Sequence, residues 1–454
     1  MRIDAVVDGL RVTSDGPVCA YVYDLDDLRA HAAAAVAALP PGCELFYALK
    51  ANSERPIIET LAGIVDGFEV GSAGEIDLVR AAAAHAPIIF GGPAKTDAAL
   101  AAAARAGVAA VHAESLHELR RANSVAAGLG LTLPVALRVN LAGPLPVATL
   151  AMAGRPTQFG IDEGDVPAAL ALVQRCRRLE LVGFHFHCLS NHHDAAGHAR
   201  LVAGYVTRAR RWAGDAGVPL CVVNAGGGVG VDYARLDRPF DWEGFCAALR
   251  AGPGGPAGPV LRFECGRYLV AGCGAYVAEV LDVKVNHGAW FAVIRGGTHH
   301  FRLPASWGHS HPFTVIPVED WPYPFPRPGV RDVPVTVAGE LCSPKDVLAR
   351  DVPVEEVRAG DLLWFHHAGA YGWSISHHDF LSHPHPRRVF LDGSAGQPER
   401  DLTVAFGLRD EAAGEARRRS VRQPVTEAAR VPPDEQADAA VVVDREDLRQ
   451  SLGG

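Results

Sequence analysis

The sequence predicts an α/β fold, in which a parallel (β/α)8 TIM barrel is followed by a C-terminal antiparallel β-domain. Eight short apolar segments alternate with alanine-rich helical segments between residue 43 and about residue 275. Such alternation favours a parallel sheet, and eight repeats favour a closed barrel over an open sheet. After Gly274 the chain changes to Val- and Thr-rich runs separated by Pro, Gly and His loops, which is typical of antiparallel strands.

The elements follow in chain order. Residues 18–24 (VCAYVYD) are predicted to form a strand, and the N-terminal segment 1–26 is expected to join the β-domain through it. The barrel is predicted over 27–274, with strands at 43–49, 67–70, 87–90, 109–113, 134–140, 181–187, 220–225 and 260–264, and with helices such as Ala98–Ala106 and Ala195–Ala213 between them. The β-domain is predicted over 275–407. Residues 408–454 are charged and poor in aromatics, and they are predicted to form a partly helical or disordered tail.

Composition excludes several classes of protein. A net charge of -9 with a pI near 6.1 provides no basic surface, so nucleic acid is not an expected partner. Nine cysteines without C-x-x-C pairs fit neither a disulfide framework nor a zinc module and indicate a reducing cytoplasm. No run of about 18 uncharged apolar residues occurs, and the N-terminus lacks the pattern of a signal peptide, so no membrane association is predicted.

One lysine stands out against the arginine-rich background. Only four lysines occur among 43 basic residues, and Lys50 directly follows the first predicted barrel strand. Arginine stays protonated, whereas a lysine amine can lose its proton and attack a carbonyl. Because reactive residues of such barrels lie at the C-terminal ends of the strands, Lys50 is predicted to be a covalent catalyst at the barrel mouth.

Two further segments predict a phosphate site on the same rim. The seventh strand ends in NAGGGVG (224–230), and the eighth ends in ECGR (264–267). Backbone N–H groups of a glycine run can surround phosphate oxygens, and Arg267 can add a charge-assisted hydrogen bond. A lysine and a phosphate site on one rim indicate pyridoxal 5'-phosphate as the cofactor. Glu264 could keep the pyridine nitrogen of this cofactor protonated, or could pair with a neighbouring arginine.

The motifs, taken in order, resemble one family. YALKAN (47–52), FEVGSAGE (68–75), HFHCLS (185–190), GGGVG, ECGR, GELCSPKDVLARD (339–351) and AGAY (368–371) are similar to segments of the fold type III decarboxylases that depend on pyridoxal phosphate. This is the ornithine and diaminopimelate decarboxylase family, and the resemblance spans roughly residues 18–407. It implies a carboxy-lyase that acts on an amino acid, and a homodimer with shared active sites.

The resemblance also implies residue roles. Lys50 forms the Schiff base with the cofactor, Cys342 of the partner subunit is the acid, and Glu264 contacts the ring nitrogen. The remaining cofactor contacts are implied for Glu69, Arg138, His187, Ser190, Gly227, Gly228, Gly266, Arg267 and Tyr371. Two positions depart from the family, because Leu189 replaces a glycine and Cys265 replaces a proline.

The substrate prediction rests on such departures. Where relatives acting on diamino acids carry an acidic residue after the cysteine, this chain has Ser343. GGTHHFRLP, FHCLSN and FLSHPHP resemble the siderophore-biosynthetic branch, whose substrate is a citrate-conjugated amino acid such as citryl-diaminopropionate. We therefore expect the substrate to contact His299, His300, Arg302, Ser343 and Asp346. Two alternatives stay open: a diaminopimelate or other diamino-acid decarboxylase, and histidines that only pack at the dimer interface.

A metal-dependent amidohydrolase is the alternative from another class. His185 and His187 alternate on a predicted barrel strand, so both rings could bind one ion. No His/Asp set on the other predicted strands completes such a site, and no metal is predicted. A decarboxylase-like protein that only binds a partner would lack Lys50 or Cys342, and both are present.

Overall fold

The structure is a computed structural model that describes residues 3–143, 150–252 and 258–393, so the tail predicted over 408–454 lies outside the described residues. The helices are α1 (Ile3–Thr13), α2 (Leu25–Ala38), α3 (Arg55–Leu61), α4 (Ala73–Ala82), α5 (Asp97–Ala106), α6 (Leu116–Leu129), α7 (Val166–Arg175), α8 (Ala195–Ala216), α9 (Trp242–Ala251), α10 (Arg267–Val270) and α11 (Leu303–Trp307). The strands are β1 (Cys19–Asp24), β2 (Cys43–Ala48), β3 (Gly67–Val70), β4 (Ile88–Phe90), β5 (Ala110–Ala113), β6 (Leu133–Asn140), β7 (Leu150–Ala151), β8 (Ile161–Asp162), β9 (Leu179–His185), β10 (Leu189–Ser190), β11 (Val222–Asn224), β12 (Val260–Cys265), β13 (Gly274–Asn286), β14 (Ala289–Ile294), β15 (Phe313–Ile316), β16 (Gly329–Ala338), β17 (Val347–Arg358), β18 (Leu362–Phe365) and β19 (Arg387–Leu391).

Eight parallel strands close into a barrel, which confirms the predicted fold class. The order around the barrel is β2, β3, β4, β5, β6, β9, β11 and β12, and β12 pairs back with β2. Each predicted barrel strand overlaps one of these eight. Most of their apolar side chains are buried, as expected of a parallel sheet covered by helices on its outer face.

Local sequence sets where the barrel helices begin. The side chains of Ser72 and Ser115 accept hydrogen bonds from the backbone N–H groups of Glu75 and Glu118, respectively. Both segments have the Ser-x-x-Glu spacing of a capping box, which starts a helix immediately after a strand. Short connections of this kind leave the C-terminal strand ends open at one face of the barrel.

The second sheet is mainly antiparallel, as predicted, with two parallel pairs. Its main path runs β15, β18, β13, β14, β16 and β17, and β1 pairs with β13. The β14–β16 and β1–β19 pairs are parallel. The pairing of β1 with β13 joins the N-terminal strand to the β-domain.

The extreme N-terminus differs from the prediction of a strand segment. Residues Ile3–Thr13 form α1, and Val6, Val7 and Leu10 of this helix pack with Trp364 of β18. Apolar residues at 3, 6, 7 and 10 have helical spacing, so this face covers the sheet.

Two global properties concern the described residues. All nine cysteines are free thiols. Within residues 3–143, 150–252 and 258–393, no helix has the length and apolar character needed to cross a bilayer.

Candidate active site at the barrel mouth

Lys50 lies in a single 3-10 turn that directly follows β2. Its Nζ is 2.5 Å from Oε2 of Glu69, which lies in the neighbouring strand β3. The Lys50 side chain is 46% exposed, whereas the Glu69 side chain is 7% exposed. Burial lowers the pKa of Lys50, but the opposing charge of Glu69, with Tyr371 and Glu264, raises it further, so the net shift is upward. The two strand ends thus hold an ion pair with its lysine open to the mouth.

Glu264, near the end of β12, is a buried carboxylate with several N–H neighbours. Asn224 Nδ2 donates to Oε1 at 2.8 Å, and His185 Nε2 is 3.3 Å from Oε2. His112 Nδ1 is 3.7 Å from Oε1, and its ring stacks on that of His185 with 3.9 Å between centroids. Burial lowers the pKa of both histidines well below the ordinary value, so both rings are neutral.

The glycine loop after β11 is packed against the end of β12. A Cβ on Gly227 would lie 2.3 Å from the carbonyl oxygen of Glu264, and one on Gly228 would lie 2.6 Å from that of Leu189. Gly228 also has a φ of 98°, which strains any residue with a side chain. The backbone of this loop therefore lies so close to Glu264 and Leu189 that a side chain would collide with their carbonyl groups. His187 Nδ1 accepts from the Gly227 N–H at 3.2 Å.

Arg267 connects the barrel to the β-domain. Its guanidinium lies 3.9 Å from the ring centroid of Trp307 and 4.6 Å from that of Tyr371, and it donates to the Tyr233 hydroxyl at 2.8 Å. Tyr371 has a φ of 53°, and its N–H donates to the Ala51 carbonyl at 2.7 Å. These contacts bring a β-domain tyrosine beside the strand end that carries Lys50.

Three more barrel residues complete the mouth. Arg138 Nη1 donates to Glu114 Oε1 at 2.7 Å, and the guanidinium lies over the Phe159 ring. Ser190 lies in the two-residue strand β10. Gly266 precedes α10, where a Cβ would lie 2.9 Å from that of Ala51. Glu114, which the sequence analysis missed, fixes the orientation of Arg138.

The predicted substrate residues of the β-domain fall into two groups. Arg302, Ser343 and Asp346 line one cleft of about 640 Å³, and Cys342 is exposed next to Ser343. The Asp346 carboxylate accepts the backbone N–H groups of Thr298 at 2.6 Å and Leu341 at 2.9 Å. Asp346 therefore holds the loop that carries Cys342.

His299 and His300 form the second group and are fully buried. Neither lines the cleft. His300 Nδ1 is 3.4 Å from the Cys19 sulfur, and His299 Nε2 is 3.6 Å from Glu340 Oε1. Within the described part of the chain, both nitrogens of His299 and Nε2 of His300 have no hydrogen-bond partner.

His185 and His187, the two histidines considered as ligands of one metal ion, lie in different surroundings. His185 lies beside Glu264 and His112, and ligand atoms of these three residues lie within 4.8 Å of one another. His187 instead accepts from the glycine loop. His112 on β5 and Glu264 on β12 converge with His185 on β9, an arrangement that the sequence did not predict. The sequence signal for His112 was its place near a strand end.

The donor set fits pyridoxal phosphate. It combines a lysine at a strand end, a buried carboxylate, a histidine beside a glycine loop, and an arginine held between aromatic rings. A buried carboxylate such as Glu264 is tolerated when it is hydrogen-bonded and paired with a positive charge. A protonated ring nitrogen of the cofactor would supply that charge.

Comparison with known proteins identifies the family. The model of the pyridoxal-dependent decarboxylase, pyridoxal binding domain, matches residues 25–271. The 2-[(L-alanin-3-ylcarbamoyl)methyl]-2-hydroxybutanedioate decarboxylase of Staphylococcus aureus is 47% identical over 394 residues, which are 86% of this chain and 98% of the relative. A diaminopimelate decarboxylase of Deinococcus radiodurans is 33% identical over 82% of this chain and 90% of its own length.

A solved structure agrees. Diaminopimelate decarboxylase from Helicobacter pylori, complexed with L-lysine, superposes with a TM-score of 0.74 at 25% identity, covering 85% of this chain and 94% of that one. The predicted family, reaction class and cofactor are thereby confirmed. The chain belongs to the pyridoxal-dependent decarboxylases, and it is a lyase that uses pyridoxal phosphate.

Proposed function

We propose that the protein decarboxylates an amino acid whose side chain carries a citryl group, as a step of siderophore biosynthesis. The observation that carries this proposal is the 47% identity with the staphylococcal enzyme over 98% of that enzyme. The name of that enzyme describes a 3-aminoalanine unit joined by an amide to a hydroxylated butanedioate. Its substrate therefore has two carboxylates beyond that of the amino acid. The diaminopimelate decarboxylase of Deinococcus radiodurans is 33% identical.

The charge of the β-domain cleft supports a polycarboxylate. Arg302, Lys345 and Arg350 line it together with Ser343. Among the residues that the structure describes, no carboxylate lies within 4.0 Å of any of these three cations. The one acid of the cleft, Asp346, is already bonded to backbone N–H groups. Such a surface favours carboxylates, and it offers little to a second ammonium group.

The barrel mouth would hold the cofactor. Lys50 would bind it covalently, Glu264 would face the ring nitrogen, and His187 would lie against the ring. Phosphate contacts are proposed for Ser190, Gly227, Gly228, Gly266, Arg267 and Tyr371, with Glu69 and Arg138 at the edge of the ring. When bound, pyridoxal phosphate supplies an electron sink for the bonding electrons left when carbon dioxide departs.

The protein's own residues handle the protons. Glu69 lies 2.5 Å from the Lys50 amine, and although burial lowers the pKa of Lys50, the charge of Glu69 raises it further, so Glu69 holds a proton on the amine at the barrel mouth. Cys342 is proposed to return a proton to the α-carbon, a general-acid role.

Cys342 is proposed to act in the active site of the partner subunit, which makes the protein a homodimer with shared sites. Its exposure within one chain supports this arrangement. The nine free thiols support a cytoplasmic location.

A substrate panel tests the proposal. Values of kcat/KM are compared for citryl-diaminopropionate, diaminopropionate, diaminopimelate, ornithine and lysine. We expect the citryl compound to be preferred by about 10²-fold or more, because binding groups that match a charged side chain discriminate strongly. A higher kcat/KM on diaminopimelate or ornithine would reject the substrate while leaving the decarboxylase intact.

A further inference from the structure

A closed group of side chains lies around the Glu264 carboxylate inside the barrel. Asn224, His185 and His112 come from β11, β9 and β5, and all three are at most 2% exposed. The distances of their nitrogens to the nearest Glu264 oxygen are 2.8, 3.3 and 3.7 Å, respectively. Three strands therefore present nitrogen atoms to one buried carboxylate.

The contacts determine which nitrogen of each histidine carries hydrogen. His185 Nε2 faces a carboxylate oxygen, which only accepts, so Nε2 carries the proton. The Asn224 amide lies 3.4 Å from His112 Nε2 and donates, so the proton of His112 is on Nδ1, which faces Glu264. Each neutral ring thus directs its single N–H toward the carboxylate. The stacking of the two rings, with 11° between their planes, keeps both in this orientation.

We propose that Asn224, His185 and His112 are positioning residues that hold Glu264 ionised and aimed at the ring nitrogen of the cofactor. The proposal rests on the cofactor arrangement given under Proposed function. N–H donors directed at a carboxylate stabilise its negative charge, and a negative charge beside the pyridine nitrogen keeps that nitrogen protonated.

Asn224 also contacts both the glycine loop and the Glu264 carboxylate. Its Oδ1 accepts the N–H of Gly226 at 2.9 Å, while its Nδ2 donates to Glu264. One amide therefore fixes both the start of the glycine loop and the carboxylate.

The surrounding charges keep the two rings neutral. Lys50, Lys95 and Arg138 act on His185, and Lys95 and Arg138 act on His112. Together with burial, these cations disfavour an imidazolium, whereas Glu264 favours it for His112. The neutral His185 ring donates one hydrogen bond to Glu264, the neutral His112 ring lies beside the same carboxylate, and neither adds a positive charge that would compete with the ring nitrogen.

The test compares two substitutions of His185 in the full-length holoenzyme. His185→Phe keeps a ring for stacking and removes the N–H, whereas His185→Gln supplies an amide N–H. The 15N chemical shift of enzyme-bound pyridoxal phosphate labelled at the ring nitrogen reports its protonation directly. We expect His185→Phe to shift this signal toward the unprotonated form and to lower kcat about 10–100-fold with little change in KM. His185→Gln should restore most of both, and the control His31→Phe, on α2, should change neither.

His112→Phe provides a second route if His185→Phe does not fold. It keeps a ring for stacking on His185 and removes the N–H that faces Glu264 without adding a charge, so a shift of the 15N signal in the same direction is expected. A wild-type 15N signal in His185→Phe, or in His112→Phe when the first variant cannot be purified, would overturn the proposal. One stoichiometric metal ion in the active holoenzyme, lost in His112→Phe, would also overturn it, because these residues would then be ligands. A wild-type protein that binds no pyridoxal phosphate would instead overturn the cofactor arrangement itself.

Discussion

The barrel mouth and the β-domain cleft differ in whether their cationic side chains have a carboxylate partner among the described residues. At the mouth, Lys50 is paired with Glu69, Arg138 with Glu114, and the buried Lys95 with Glu118. In the cleft, the cations of Arg302, Lys345 and Arg350 have no carboxylate within 4.0 Å among the described residues. The mouth is organised before any ligand arrives, whereas the cleft carries charge that a ligand or a partner chain can neutralise.

This difference separates the two parts of the proposed activity. Fixed, paired groups suit a cofactor that stays bound through every turnover, and preorganisation of this kind is usually the largest source of catalytic stabilisation. Unpaired cations suit a substrate that enters and leaves, because its carboxylates supply the missing charge. Substitutions at the mouth should therefore affect chemistry, and substitutions in the cleft should affect substrate binding.

The largest expected effect is at the mouth. Lys50→Ala should abolish turnover and the visible absorbance of lysine-bound pyridoxal, because no other amine occupies this strand end. Absorbance spectra and carbon dioxide release are measured beside the control Lys284→Ala, an exposed lysine paired with Asp282 on β13. An unchanged spectrum in the Lys50 variant would contradict the assignment of the mouth.

Cys342 tests how the two regions cooperate. Cys342→Ala should keep the cofactor spectrum and lose about 10²–10⁴-fold in turnover, the usual range for a lost general acid. Full activity of this variant would assign the acid role elsewhere.

Subunit mixing tests the shared site. Equal amounts of Lys50→Ala and Cys342→Ala chains should recover about a quarter of wild-type activity, since half of randomly paired symmetric dimers would regain one of two sites. Absence of recovery after verified subunit exchange would mean that each chain uses its own cysteine.

The cleft should respond through KM. Arg302→Gln and Lys345→Gln should each raise KM for the citryl substrate about 10–100-fold with little change in kcat, because a charge-assisted hydrogen bond contributes about 1.5–3 kcal/mol. The control is Arg331→Gln, which removes an exposed cation that pairs with Glu356. A loss confined to kcat would contradict a role of the cleft in substrate binding and would indicate a role in the chemical step or in subunit contact.

The smallest expected effect is a pH dependence of stability. Burial holds the pKa of His112, His185 and His311 well below the ordinary value. In the unfolded chain these rings take up protons as the pH falls through about 6.5, so the unfolded state binds more protons. Their stability contribution is complete above that pH and is lost below it, at about 1.4 kcal/mol per pH unit for each ring.

Thermal unfolding midpoints between about pH 8 and about pH 5 measure this slope. His311→Phe should flatten it, whereas His287→Asn, at an exposed histidine, should not. A midpoint independent of pH in the wild type would contradict neutral buried rings.

The sequence predicted the barrel well because each element had a local signal. Apolar strands such as 67–70 are followed by Ser-x-x-Glu caps, and Lys50 was conspicuous among so few lysines. Helix α1 was not predicted although Ile3, Val6, Val7 and Leu10 have helical spacing, because this short segment lies outside the alternating strand and helix pattern of the barrel.

Side-chain partnerships were harder to predict. His112 is one of twenty histidines, and Glu114 lies just beyond the same strand. The partners of these two side chains depend on which strands become neighbours in the barrel. A contact between residues far apart in sequence leaves no local pattern from which it could be predicted. That Arg302, Lys345 and Arg350 have no carboxylate within 4.0 Å in the described part of the chain is likewise evident only from the folded loops.

Locating the cofactor on the chain is the most direct test of the account. The holoenzyme is reduced with borohydride, which fixes pyridoxal to its lysine, and the digested peptides are analysed by mass spectrometry. Only four lysines are present, so the site is unambiguous. We expect one pyridoxyl group per chain, on the peptide that contains Lys50. A pyridoxyl group on Lys95, Lys284 or Lys345, or none in an active preparation, would contradict it.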